Sequence, residues 1–174
     1  MKSLIVKLIK LFYHFITRVK LKYKFRESNN STYIFDLDNT LYNTWPYLKE
    51  NKGALYLEIP IFEGMKNVIY SLPKDSKLCF LTARNLKFYF QTKKRLELDF
   101  NSLDYDLIIV DNTIDKIRYL KFFVEKSDNV FYYDDLSYNH ENGTVKYYLD
   151  TIKEVEKLPV EYKGADVINV INSI

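Results

Sequence analysis

The sequence predicts an α/β domain: a mostly parallel sheet with helices on both faces, preceded by a basic amphipathic helix. Three observations carry that prediction. Short apolar runs recur between longer segments of helical composition. Four of those runs end in polar or acidic residues. The first 26 residues hold eight Lys and Arg and no acid. At 174 residues the chain is long enough for one well-buried core, and a second full domain is not expected.

The N-terminal segment, residues 1–27, comes first. Lys7, Lys10, His14, Thr17 and Arg18 form one narrow stripe at helical spacing. Leu4, Leu8, Leu11, Phe15 and Val19 cover the rest, with Ile5, Ile9, Phe12 and Ile16 beside them. Its apolar runs fall short of the roughly 20 residues a bilayer span needs, and no small-residue cleavage site marks a signal peptide. From Arg18 to Arg26 cations alternate with apolar residues, which predicts a strand with one wet face. Of the chain's 26 Lys and Arg, 18 remain for the rest of the sequence, against all 23 acids, a net charge of −5. The basic character therefore belongs to the N-terminus. Three roles stay open for it: a helix packed on the body with a solvated basic rim, a membrane-surface helix, or an arm for a partner protein or nucleic acid. His14 reads as a surface residue.

The body, residues 32–174, follows a short Ser28–Ser31 linker. Thr32–Phe35 is the first predicted strand. Met65–Leu72 ends a helix stopped by Pro73, and Lys77–Leu81 is the second strand. Asn85–Leu98 has helical composition, Leu107–Val110 is the third strand, and Asp115–Lys126 is a helix capped by Thr113 or Asp115. Val130–Tyr133 is the fourth strand. Asn142-Gly143 predicts a turn joining Tyr138–Glu141 to Thr144–Tyr148. Thr151–Lys157 and Ala165–Ile171 read as helices around a short strand at Val160–Tyr162. The single cysteine, Cys79, lies in a core strand, which fits a reducing compartment.

The chemistry gathers at the strand ends. Phe35-Asp36-Leu37-Asp38-Asn39-Thr40 places two carboxylates two residues apart, on one side of an extended chain. Such carboxylates repel, so they need a cation or a shared proton. Thr82, Asp111 and the pair Asp134/Asp135 end the other three runs. In open parallel sheets ligands bind beyond the C-terminal ends of the strands.

Asp36-x-Asp38-x-Thr40, Leu81-Thr82-Ala83-Arg84, a helical lysine and Tyr132-Tyr133-Asp134-Asp135 together resemble the haloacid dehalogenase superfamily, in that family's order, across Thr32 to Asn139. The order excludes the response-regulator receivers, whose paired acids come first. The resemblance implies a Rossmann-like core and a Mg²⁺-dependent phosphatase. Asp36 would be the nucleophile that forms an aspartyl-phosphate, and Asp38 the acid and base. An acid at that position favours phosphate ester hydrolysis, because the superfamily's dehalogenases lack it and its ion pumps carry threonine. Thr82 would hydrogen-bond the phosphoryl group, and Lys116 would balance its charge, with Lys121 as rival. Asp36, Asp134, Asp135 and the backbone carbonyl of Asp38 would hold Mg²⁺.

Other residues keep two readings. Arg84 either contacts substrate or pairs with a nearby acid. Asn139 either supports the metal from behind or sits in the hairpin, where His140 also belongs. Asp111 reads as a turn or cap residue. Trp45, Pro46 and Tyr47 follow the first motif and would pack together or line the entrance. The two dozen residues between Thr40 and Gly64 allow a flap but no cap domain, which implies a bulky phosphorylated substrate: a phosphoprotein, a nucleic-acid end such as a polynucleotide 3′-phosphate, or a lipid head group. The competing class is a non-catalytic interaction module on the same fold. The expected location is cytoplasmic, with peripheral attachment to the inner membrane surface in the case where residues 1–26 take the membrane-surface role.

Overall fold

The computed structural model describes residues 2–25, 30–50 and 57–174. In chain order the elements are α1 (Lys2–Lys24), β1 (Thr32–Phe35), α2 (Glu63–Tyr70), β2 (Lys77–Ala83), α3 (Tyr89–Asp99), β3 (Tyr105–Val110) and α4 (Lys116–Val124). They continue with β4 (Val130–Tyr133), β5 (Ser137–Tyr138), β6 (Lys146–Tyr147), α5 (Leu149–Glu156), β7 (Glu161–Lys163) and α6 (Ala165–Asn172).

Five strands form one parallel sheet in the order β3-β2-β1-β4-β7. The architecture is Rossmann-like α/β. After β3 the chain crosses to the other side of β1, so strand order reverses between β1 and β4. Crevices form at such switch points, beyond the C-terminal ends of the strands. Asp36 follows β1 there and Asp134 follows β4.

Period-two alternation splits the core into two layers. Ile34, Cys79, Leu81, Ile108 and Tyr132 face one way, against Leu21 and Phe25 at the end of α1, Leu120 and Phe123 of α4 and Val155 of α5. Phe35, Phe80 and Tyr133 face the other way, against Met65 and Ile69 of α2, Leu96 of α3 and Ile168 of α6. Gly64 lets α2 approach α6: a Cβ there would lie 1.9 Å from the Ile171 carbonyl oxygen. Cys79 is fully buried, and burial pushes its thiol well above its usual range.

Three expectations about secondary structure change. Residues 18–24 belong to α1 rather than to a strand. The reason is tertiary: Lys20 and Lys24, four apart, both reach Asp106 at 2.9 Å, and Leu21 and Phe25, also four apart, enter the core. The helix after β3 starts at Lys116, preceded by a tight turn at Thr113–Asp115. There the Asp115 carboxylate accepts hydrogen bonds from the backbone and side-chain nitrogens of Asn112, each at 3.3 Å. The Asn142-Gly143 turn joins shorter strands than the sequence indicates, β5 and β6, through a tight turn at His140–Asn142. No described helix is long and apolar enough to cross a membrane.

α1 docks through its polar stripe. Lys10 pairs with Asp111 at 2.6 Å, and the Tyr13 hydroxyl accepts the Ile109 N–H at 2.9 Å. His14 Nδ1 lies 2.9 Å from the Tyr119 hydroxyl, and Lys24 also reaches Asp104 at 3.0 Å. His14 is therefore partly buried at an interface, not a surface residue. Acids on β3 and its flanks draw the cations inward and turn the broad apolar face outward. Asp111 acts as an anchor for Lys10 rather than as a cap.

Candidate functional site

The loops after β1 and β4 are tied together by one backbone bond and one bond to a side-chain hydroxyl. The Asp36 N–H donates to the Tyr133 carbonyl at 2.8 Å, and the Asp135 N–H donates to Thr40 Oγ1 at 3.1 Å. Asn39 and Leu136 adopt left-handed conformations with φ of 58° and 43°, each turning the chain sharply just after its acidic pair. Leu136 then donates its N–H to Asp134 Oδ1 at 2.9 Å.

At the centre is Lys116, 1 % exposed. Its ammonium donates to Asp36 Oδ1 at 2.7 Å and to Asp134 Oδ2 at 2.5 Å. Of the two lysines that the sequence left in competition, Lys116 is in the site and Lys121 is exposed on the same helix. Tyr132 also donates its hydroxyl to Asp134. Carboxylate oxygens of Asp36, Asp134 and Asp135 all lie within 4.8 Å of one another.

Burial dominates the electrostatics. It pushes the Asp36 carboxyl up to about 7, with the charges of Asp134 and Asp38 adding and Lys116 opposing. Burial likewise raises Asp134 and Asp135. Burial works against the Lys116 charge, but Asp134 and Asp36 outweigh it and hold the ammonium above its usual range.

Three buried carboxylates face one ammonium, so full ionisation leaves an excess of two negative charges. That excess, together with an all-oxygen donor set, fits a hard divalent cation. Lys116 occupies only one oxygen each of Asp36 and Asp134. The cluster can therefore hold a metal ion.

Asp38 has a different environment. Its side chain is 37 % exposed and held by Arg84, whose Nε donates to Oδ2 at 2.7 Å and whose Nη2 donates to Oδ1. Arg84 thus pairs with a nearby acid, and it also lines the cavity described below. The Asp38 carboxylate stands apart from the three-acid cluster. Thr82 is fully buried, its hydroxyl has no hydrogen-bond partner among the described residues, and it is not among the cavity-lining residues.

Asp36, Asp38, Lys116, Asp134 and Asp135 form the floor of a cavity of about 450 Å³. Tyr47, Phe88, Tyr138 and Tyr148 help to wall it. Trp45 and Pro46 do not line it, and the flap expectation for residues 51–56 falls outside the described residues. Asn139 sits in the hairpin with φ of 68° and donates to the Thr144 carbonyl at 3.2 Å. His140 is in the hairpin turn as expected, yet it lines the cavity.

Sequence reasoning missed a short relay. Ser137 donates its hydroxyl to Asp135 and lies 2.5 Å from His140 Nε2, which is 3.7 Å from Asp135 Oδ2. Ser137, two residues after Asp135, was a signal, and so was Tyr132, two residues before Asp134 on the same strand face. A scan against protein-family models returns no match for this chain, and a search of curated proteins finds no similar one.

Proposed function

We propose that this protein is a Mg²⁺-dependent phosphoester hydrolase of the haloacid dehalogenase type, acting through an aspartyl-phosphate on Asp36. The observation that carries the reading is the buried Lys116 ammonium bridging Asp36 and Asp134, with Asp135 at metal-sharing distance. An isolated buried carboxylate cluster is costly, and a fold with no chemistry to perform has no need of one.

In this reading an Asp36 oxygen attacks phosphorus while the ester oxygen leaves with a proton from Asp38. Water then attacks the same phosphorus and gives a proton to Asp38, releasing inorganic phosphate and the Asp36 carboxylate. Lys116 orients Asp36 and offsets charge beside it. A Mg²⁺ ion held by Asp36, Asp134, Asp135 and the Asp38 carbonyl would supply charge neutralisation for the phosphoryl oxygens. Arg84 holds both Asp38 carboxylate oxygens, so that pair must open before Asp38 meets the leaving group. Thr82 would contribute only if the phosphoryl group reaches behind the cavity wall formed by Ala83 and Arg84. The aromatic walls suit the phosphorylated end of a bulky substrate.

Hydrolysis of p-nitrophenyl phosphate by wild type and Asp36→Asn, with Mg²⁺ and with EDTA, tests this. Metal-dependent turnover that falls at least roughly a thousandfold in the variant is expected. A folded, Mg²⁺-binding wild type that hydrolyses no member of a broad phosphomonoester panel would point to the interaction module instead.

A further inference from the structure

The polar side of α1 is spent on the body, and its apolar side is left outside. Leu4, Leu8, Leu11, Phe12, Phe15 and Val19 are 53–67 % exposed. At about 100° per residue the docked residues Lys10, Tyr13, His14, Lys20, Leu21 and Lys24 fall in one arc, and the exposed apolar residues centre on the opposite side. The body therefore does not obstruct flat contact along the outer face. Monomeric proteins rarely leave so continuous a hydrocarbon surface uncovered.

Charge identifies what covers it. α1 contains no acid. Lys7, Arg18 and Lys22 are exposed along one border of the apolar arc and make no ion pair among the described residues. A second copy of α1 laid on the first would bring only like charge to those three cations. The apolar face is also far wider than the narrow seam a helix pair uses. An anionic leaflet offers both apolar depth for the face and negative charge for the border.

We infer that α1 is a membrane-surface helix: it lies in the plane of an anionic leaflet with its Leu4–Val19 apolar face in the acyl boundary, Lys7, Arg18 and Lys22 at the head groups, and the α/β body held against its other side. This is independent of the phosphatase reading, because binding is measured without turnover.

The test is co-sedimentation of the full chain with vesicles of phosphatidylcholine, alone or mixed with phosphatidylglycerol. Alongside it, sedimentation velocity measures self-association and thermal melting checks the fold of each variant. The wild type is expected to pellet with the mixed vesicles, less so at high salt. Phe12→Glu/Phe15→Glu, at exposed positions, is expected to stay in the supernatant with an unchanged melt. Lys7→Gln/Arg18→Gln/Lys22→Gln is expected to bind roughly a hundredfold more weakly. A wild type that ignores both vesicle types overturns the inference. So does a double variant that pellets like wild type, or a dimer that Phe12→Glu/Phe15→Glu dissociates in a protein that binds no vesicle.

Discussion

Around Asp36 the protein buries charge; along the outer face of α1 it exposes hydrocarbon. In the first region three carboxylates and a lysine sit at most 7 % exposed. In the second, Phe12 and Phe15 are each 64 % exposed. Both arrangements cost stability when the chain is alone, because desolvated charge and hydrated apolar surface are each unfavourable. The two regions differ in how far the fold itself offsets that cost. Lys116, Tyr132 and backbone donors offset part of that cost from within the buried site. Among the described residues, nothing in the body covers the α1 face. Substitutions should therefore disturb the fold in the first region and leave it alone in the second.

The largest effect is expected at Lys116. Lys116→Met strands two buried carboxylates and should destabilise the metal-free protein by about 3–5 kcal/mol in urea unfolding. A loss below about 1 kcal/mol would mean that the ammonium is not the internal counter-charge, and the contrast would collapse.

The next concerns pH. Asp36 is raised from 3.8 to about 7 in the folded protein, so the native state holds its proton where the unfolded chain has released it. The stability this contributes is present below pH 3.8 and is lost as pH rises to about 7. Asp134 and Asp135 shift in the same direction. Mg²⁺ should therefore raise the melting temperature, and the gap between Mg²⁺ and EDTA melts should widen from acidic to neutral pH. A gap that stays flat or is absent would remove the metal from this cluster.

A smaller effect is expected at Thr82, whose buried hydroxyl has no partner among the described residues. Thr82→Val should stabilise the fold by about 1 kcal/mol, because it removes an unsatisfied polar group at constant shape. If the same variant also loses turnover, Thr82 meets the phosphoryl group; unchanged turnover would confine Thr82 to the core. The smallest change in stability belongs to the other region: Phe12→Glu should move it by less than about 0.5 kcal/mol. A larger loss would show that the α1 face packs on the protein after all.

Much of the site was legible because strand periodicity and strand-end position are local properties. Asp36 was readable from the apolar run before it, whereas Lys116 came only from the family resemblance, with Lys121 beside it. That Asp36 joins the buried cluster while Asp38 pairs with Arg84 was not legible. Period two places them on one side only while the chain stays extended, and β1 ends at Phe35 with a left-handed turn at Asn39. Asp38 consequently meets Arg84, 46 residues away in sequence. The Ser137–His140 contact to Asp135 depends on how the hairpin folds back.

For α1 the sequence alone determined a helix with a wide apolar face and a basic stripe, because helical spacing is written in composition. It misassigned residues 18–24, where alternation and helical spacing both fit the same letters. Only the tertiary structure decided which face turns inward. Asp104, Asp106 and Asp111 around β3 attract Lys10, Lys20 and Lys24, and the ion pairs that result set the orientation of the helix. Pattern says what a face is made of; what it faces depends on residues a hundred positions away.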